Sequence, residues 1–244
     1  MNPADELFYD TFLIHPDGRI FLHEAHLGRN RRTAHHLGFG TAPDPAGHLP
    51  PEYQGGLAAG RASFYARESN CLAVTVTIRP LEAADICPAA AWVALWRPAD
   101  PDLDVRWRRI KSRHNADVER ARRTALAAGY PTALLADVHG RVGEFCIGNL
   151  VLVEGTRLVT PPLACGVLPG VMRHALLTDG DPVVEVALVP FARLLQADGV
   201  FLTNALRLIV PVRELQVDYR RHVWPIPPAI TALQRRWRRL ALAD

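Results

Sequence analysis

Lysine is almost missing from this 244-residue chain. Lysine and arginine together number 28, and Lys111 is the only lysine, so 28 − 1 = 27 basic positions are arginine. Lysine is ordinarily among the commonest residues of a soluble domain. The deficit, in an alanine-rich chain, points to a codon bias that has pushed basic positions to arginine. A surface charge or a salt bridge tolerates that exchange. A Schiff base does not, because guanidinium stays protonated whereas a lysine amine can lose its proton. Lys111 is therefore either a chance survivor or an amine kept for its chemistry, and composition alone weighs the two equally.

Other scarcities narrow the class. No apolar run approaches the roughly 20 residues that span a bilayer, so no membrane partner is expected. Four cysteines (Cys71, Cys87, Cys146 and Cys165) form no CxxC pair. Neither a disulfide frame nor a zinc site is indicated, and free or buried thiols are expected. Met1-Asn2-Pro3-Ala4-Asp5 lacks the basic and apolar regions of a signal peptide, which predicts a cytoplasmic protein. The formal net charge of +3 is too small to demand nucleic acid or an anionic surface. Only Arg235-Arg236-Trp237-Arg238-Arg239 favours a nucleic-acid-binding protein, and a short basic helix is more often a solvated face. What remains is 49% hydrophobic and 22% charged, as in an ordinary globular enzyme, and long enough to bury a core in one domain or two small lobes.

Local patterns then place elements. Residues 6–14 read as a strand, Pro16-Asp17-Gly18 as a turn and 19–22 as the returning strand of a hairpin. A helix is predicted over 23–39, a proline-rich loop over 41–51, a helix over 57–68, and strands over 72–78 and 91–96. Residues 97–104, with prolines and acids, look like a linker between lobes. Beyond it a helix is predicted over 115–128, stopped by Gly129. Hairpins follow at 132–145, around Asp137-Val138-His139-Gly140, and at 149–160, around Glu154-Gly155-Thr156. A helix is predicted over 169–177, strands over 183–189, 200–203 and 206–212, and a last helix over 228–240. No internal repeat appears. Helices and strands mix without βαβ alternation, which favours α+β.

Several short motifs follow one another along the chain. His26-Leu27-Gly28-Arg29 precedes Thr33 and Leu37-Gly38. Lys111-Ser112-Arg113-His114-Asn115 is followed by a helix and Ala127-Ala128-Gly129-Tyr130. Gly140-Arg141-Val142-Gly143-Glu144 and Gly148-Asn149-Leu150-Val151-Leu152-Val153 come next, then Gly166-Val167-Leu168-Pro169-Gly170-Val171-Met172-Arg173. Leu202-Thr203-Asn204-Ala205-Leu206 comes last, with Val210-Pro211-Val212 after it. In this order the motifs resemble class IV aminotransferases, and the last one resembles their aminodeoxychorismate lyase branch in particular.

The resemblance implies a two-lobed α+β chain with the D-amino-acid-aminotransferase-like fold of fold type IV enzymes, its lobes at 1–97 and 105–244, with 98–104 joining them. It implies pyridoxal 5'-phosphate as cofactor, held as an imine at Lys111, the catalytic residue, which would also move protons as base and acid. Glu144 would face the pyridine nitrogen, since an acid beside a cation stays ionised. Arg29 would bind the phosphate with its planar fork. Backbone donors at Gly170, Val171 and Met172, where a turn enters a helix, and Thr203 and Asn204 would complete the phosphate cup. The expected function is conversion of 4-amino-4-deoxychorismate to 4-aminobenzoate and pyruvate, within folate biosynthesis. The alternative is an amino-acid transaminase, of branched-chain or D-amino-acid type, acting on a small amino substrate. A homodimer with active sites near the subunit interface is implied.

One departure is visible. Many transaminases of the family carry a tyrosine shortly after the lysine, whereas this chain has His114-Asn115-Ala116-Asp117. Asn115 is a candidate donor in its place and His114 a candidate substrate contact. Arg79, Arg106, Arg108, Arg109 and Arg113 are all candidate carboxylate clamps, and none is singled out.

Overall fold

The computed structural model describes residues 5–242 except 52, 54, 90, 91, 98–108 and 138, together with the backbone but not the side chains of 96 and 97. The linker expected at 98–104, and Arg106 and Arg108, lie outside the described residues.

Two sheets build the molecule. The smaller is a meander of β1 (Glu6–Ile14), β2 (Ala58–Ala66) and β3 (Leu72–Pro80), antiparallel throughout, with α1 (His23–His36) packed on it. The segment 57–68, expected to be a helix, is the central strand β2. Its alanines favour a helix locally, but both flanking strands pair with it and its burial runs along both faces. Tertiary pairing overrides the propensity. Gly60 belongs to this packing: a Cβ there would lie 2.1 Å from the Phe12 ring on the neighbouring strand. The expected strand at 19–22 reduces to one bridge, Ile14–Ile20, before the chain enters α1 through Leu22, which has positive φ.

The larger sheet holds the nine strands from β4 (Trp92–Arg97) to β12 (Arg220–Val223). Hairpins join β5 (Thr132–Ala136) to β6 (Val142–Phe145) and β7 (Gly148–Glu154) to β8 (Arg157–Thr160), where the turn residues foretold them. β10 (Gly199–Asn204) pairs with both β7 and β11 (Leu208–Val217), so the order β7-β10-β11-β4-β5-β6 closes into a ring. β4 pairs with β11 and β5 in parallel. β4, which ends at Arg97, therefore hydrogen-bonds into the larger sheet. β9 (Val184–Val186) extends the sheet beyond β8. Helices α2 (Ala116–Ala127), α3 (Val171–Asp179), α4 (Phe191–Gln196) and α5 (Pro228–Leu242) complete the described chain. Neither α4 nor β12 was foreseen. None of the helices is long and apolar enough to cross a membrane, among the described residues.

Three apolar cores hold these parts. Phe8, Phe12, Phe64 and Ala34 pack α1 on the small sheet. Phe145, Leu152, Val212 and Trp224 belong to a core of the ring. A third joins Leu13 and Ile86 to Met172, Phe201, Ile230 and Trp237, so it fastens the small-sheet lobe to α3, α5 and the ring. Each large apolar side chain so buried contributes about 1.5–3 kcal/mol. That shared core fixes the relative position of two walls that face one cavity.

Candidate active site

A cavity of about 450 Å³ opens between the small sheet and the ring, and Lys111 lies in its wall. The small sheet supplies one side through strand alternation. Thr11 is registered opposite Arg61, Tyr9 opposite Ser63, and Arg79 opposite Ala59, so Tyr9, Thr11, Arg61 and Arg79 share a face. All four line the cavity. The Arg61 guanidinium lies 3.7 Å from the Tyr9 ring centroid and donates to both oxygens of buried Glu6, at 2.8 Å each. Arg61 is thereby pinned.

Lys111 is tied to this wall twice. Its carbonyl accepts from the Tyr9 amide at 2.8 Å, and its Nζ donates to Thr11 Oγ1. Burial pushes its pKa down to about 7, Arg29 and Arg61 push the same way, and Asp10 opposes them. A lysine poised near neutrality can be both nucleophile and proton carrier.

Behind the wall, buried Asp10 accepts from Arg29 Nη2 and from His26 Nδ1, the latter at 2.9 Å. Burial works against its ionisation, but Arg29 and His26 outweigh burial and hold the carboxyl well below the usual range. Removing one partner of such a buried pair costs about 3–5 kcal/mol, because a charge is left uncompensated.

The ring builds the opposite wall from a single cross-strand row. Glu144 on β6 is registered with Asn149 on β7, and Asn149 with Thr203 on β10; all three line the cavity. Glu144 Oε2 accepts from Asn149 Nδ2 and from the Leu168 amide, both at 3.0 Å, which fixes the buried carboxylate. Asn149 Nδ2 also donates to the Leu168 carbonyl at 2.8 Å. Gly170 caps α3 against this asparagine, where a Cβ would meet Asn149 Oδ1 at 2.0 Å, so only glycine brings the helix start this close. Gly170 and Val171 line the cavity. Met172 does not, and its side chain packs in the core, which leaves its backbone amide at the helix start.

The turn after β10 is organised by Asn204. Its Oδ1 accepts from the Leu206 and Arg207 amides at 3.1 and 2.8 Å, and its Nδ2 donates to the Ile147 carbonyl at 3.0 Å. Thr203 Oγ1 donates to the Leu208 carbonyl at 2.6 Å. Both side chains are thus occupied by backbone partners, and both residues line the cavity.

The structure therefore brings Arg29, Lys111, Glu144, Val171, Thr203 and Asn204 to one cavity and keeps the Met172 side chain out. Asn115 also lines it, with its Nδ2 donating to the Ile110 carbonyl at 2.8 Å. His114 is not among the lining residues, and its ring Nε2 is 3.1 Å from the Glu6 carbonyl. Of the candidate clamps, Arg79 and Arg113 line the cavity and Arg109 does not. Tyr9, Asp10, Thr11, Arg61, Asn149 and Arg207 had no assigned role in the sequence reading. Odd-numbered positions of β1 were the one available signal, since Tyr9 and Thr11 fall on one face of a predicted strand.

The fold is that of a known class. A hypothetical aminotransferase from Mycobacterium tuberculosis, in its form bound to pyridoxal phosphate, superposes with a TM-score of 0.81 at 20% identity, over 99% of this chain and 93% of that one. A Legionella pneumophila structure with a provisional 4-amino-4-deoxychorismate lyase name gives a TM-score of 0.75 at 21% identity, over 94% and 90%. These likenesses define a fold type IV architecture. Residues 52–215 match the family described as amino-transferase class IV, and the chain belongs to that family, whose members are pyridoxal-phosphate-dependent enzymes. A probable branched-chain-amino-acid aminotransferase of Aquifex aeolicus is 33% identical over 136 residues, which span 54% of this chain and 42% of the relative. The chain thus matches less than half the length of that curated relative.

Proposed function

We propose that Lys111 carries pyridoxal phosphate in this cavity and that the reaction is lyase-like, converting 4-amino-4-deoxychorismate to 4-aminobenzoate and pyruvate. The residues fit the group. A buried amine near neutrality, a buried carboxylate held by two donors, a helix N-terminus and a paired arginine all border a single cavity. When bound, the cofactor supplies a protonated ring that withdraws electrons from the reacting substrate carbon. Glu144 holds that ring nitrogen in its protonated form. Arg29, the first amides of α3 at Val171 and Met172, and the backbone of Thr203 and Asn204 receive the phosphate, whose charge a helix N-terminus favours by about 0.3–1 kcal/mol.

The observation that carries the lyase reading is the contact between Lys111 Nζ and Thr11 Oγ1. Elimination needs a proton taken from the substrate ring and a proton delivered to the departing pyruvate unit. The Lys111 amine takes the first. The Thr11 hydroxyl, in contact with that amine, passes one onward. Arg79, Arg113 and Arg207 at the cavity wall suit a substrate that carries two carboxylates. The resemblance of residues 202–206 to the lyase branch supports the same reading.

A second reading, amino-acid transamination, is favoured by the branched-chain aminotransferase name of the Aquifex relative. In it the Lys111 amine would carry the proton throughout, as base and then as acid, and Thr11 would serve only to orient it. Assay of 4-amino-4-deoxychorismate beside a panel of amino donors and keto acids separates the two. Pyruvate and 4-aminobenzoate are expected; amino transfer without pyruvate release replaces the first reading by the second. A homodimer belongs to either reading, and sedimentation of the purified protein tests it.

A further inference from the structure

Asp10 has no task in the chemistry above, yet it is fully buried. It stands between Tyr9 and Thr11, so strand alternation turns it away from their face and toward α1. There Arg29 Nη2 donates to its Oδ1, and His26 Nδ1 lies 2.9 Å from its Oδ2. The two partners are three residues apart on α1 and so share one face of the helix. The Phe12 ring meets His26 edge-on at 5.8 Å between centroids and screens the cluster from water. Burial pushes the His26 imidazole pKa down, with Arg29 and Lys111 acting the same way and Asp10 opposing. A ring nitrogen this close to a carboxylate carries a proton and donates it, so Nδ1 is the donor.

By charge alone this arrangement works against phosphate. A carboxylate behind the receiving arginine repels a dianion. Its value is geometric. A free arginine side chain samples many rotamers, and binding through it must first immobilise it. Arg29 is already held at Nη2 by Asp10, and a guanidinium has five N–H donors, so the side chain that lines the cavity keeps others to offer.

We propose that Asp10 is the positioning residue of the phosphate site: it fixes the Arg29 guanidinium in the cavity wall, and His26 aims the carboxylate that does so. The proposal rests on Arg29 as the phosphate arginine.

The test compares apoprotein affinity for pyridoxal phosphate with that for pyridoxal, which lacks the phosphate, in wild type and Asp10→Asn. The ratio isolates the phosphate contribution and does not depend on turnover. Positioning predicts that the ratio falls on the order of tenfold in the variant, the equivalent of one side chain left to be immobilised. Pyridoxal binding should stay near the wild-type level, and Asp10→Glu should recover part of the loss. An unchanged or larger ratio, as simple removal of a negative charge predicts, overturns the proposal. Should Asp10→Asn fail to fold, His26→Leu carries the same test through the second oxygen, with His26→Asn restoring a donor. A lower ratio in His26→Leu alone supports the proposal, and an unchanged ratio in both His26 variants overturns it. Wild type that prefers pyridoxal phosphate while Asp10→Asn keeps the full preference removes only the role of Asp10. Wild type with no preference removes the phosphate reading of Arg29 and this proposal with it.

Discussion

The two walls of the cavity are built by different physics. The small-sheet wall works through ion pairs: Glu6 with Arg61, Asp10 with Arg29 and His26, and a lysine whose acidity is set by burial and its charged neighbours. The ring wall works through backbone geometry. One carboxylate, Glu144, is fixed by an asparagine and an amide, a glycine admits the start of α3, and Asn204 spends its side chain on shaping a turn. Charge pairs tune reactivity and are sensitive to single substitutions. Backbone donors hold a shape and change little when a nearby side chain is replaced. Under the proposed reading, the wall that moves protons is the ionic one, and the wall that receives the cofactor ring is the rigid one.

Substitutions can break this contrast. The largest effect is expected at the ionic wall: Lys111→Arg keeps a charge but cannot shed its proton, and activity should fall on the order of 10⁴-fold in steady-state assays. At the ring wall, Glu144→Gln keeps the shape and removes the charge, and kcat should fall on the order of 10²-fold with the fold intact by circular dichroism. A loss at Glu144 as large as that at Lys111 would erase the distinction between the walls.

Titration sharpens it. In the apoprotein, acylation of Lys111 should follow loss of its proton near pH 7, well below the ordinary lysine value of 10.5. Asp10 favours the charged amine, so Asp10→Asn should move that midpoint lower. The mass shift is easy to place, because no other lysine exists. The smallest effect concerns the thiols. Cys146 lines the cavity, but burial pushes its pKa up to about 12, so it should alkylate far more slowly than exposed Cys71 at neutral pH. Equal alkylation rates for the two would mean that the cavity wall near Glu144 is not desolvated.

Legibility in the sequence divides along the same line. The ring was readable because its hairpins announce themselves in turn residues, and Glu144, Val171, Thr203 and Asn204 follow from local motifs in order. The Glu144-Asn149-Thr203 row was half visible, since Asn149 joins the other two only through the register of β7. The small sheet was harder. Segment 57–68 carries alanines that favour a helix and becomes a strand because β1 and β3 flank it, a fact of tertiary structure. Asp10 and His26 lie 16 residues apart, and no spacing rule joins a strand to a helix face. Thr11 meets Lys111 across 100 positions. Contacts of that range depend on the whole fold, so the residues that tune the lysine stayed hidden while the lysine itself stood out by rarity.

Reduction of the bound cofactor tests directly whether Lys111 holds it. The purified protein is incubated with pyridoxal phosphate, reduced with borohydride and analysed by peptide mass spectrometry. A single reduced pyridoxyl-phosphate adduct on the peptide containing Lys111 is predicted, absent from Lys111→Arg. An unlabelled protein, or a label confined to the N-terminal amine, would contradict it.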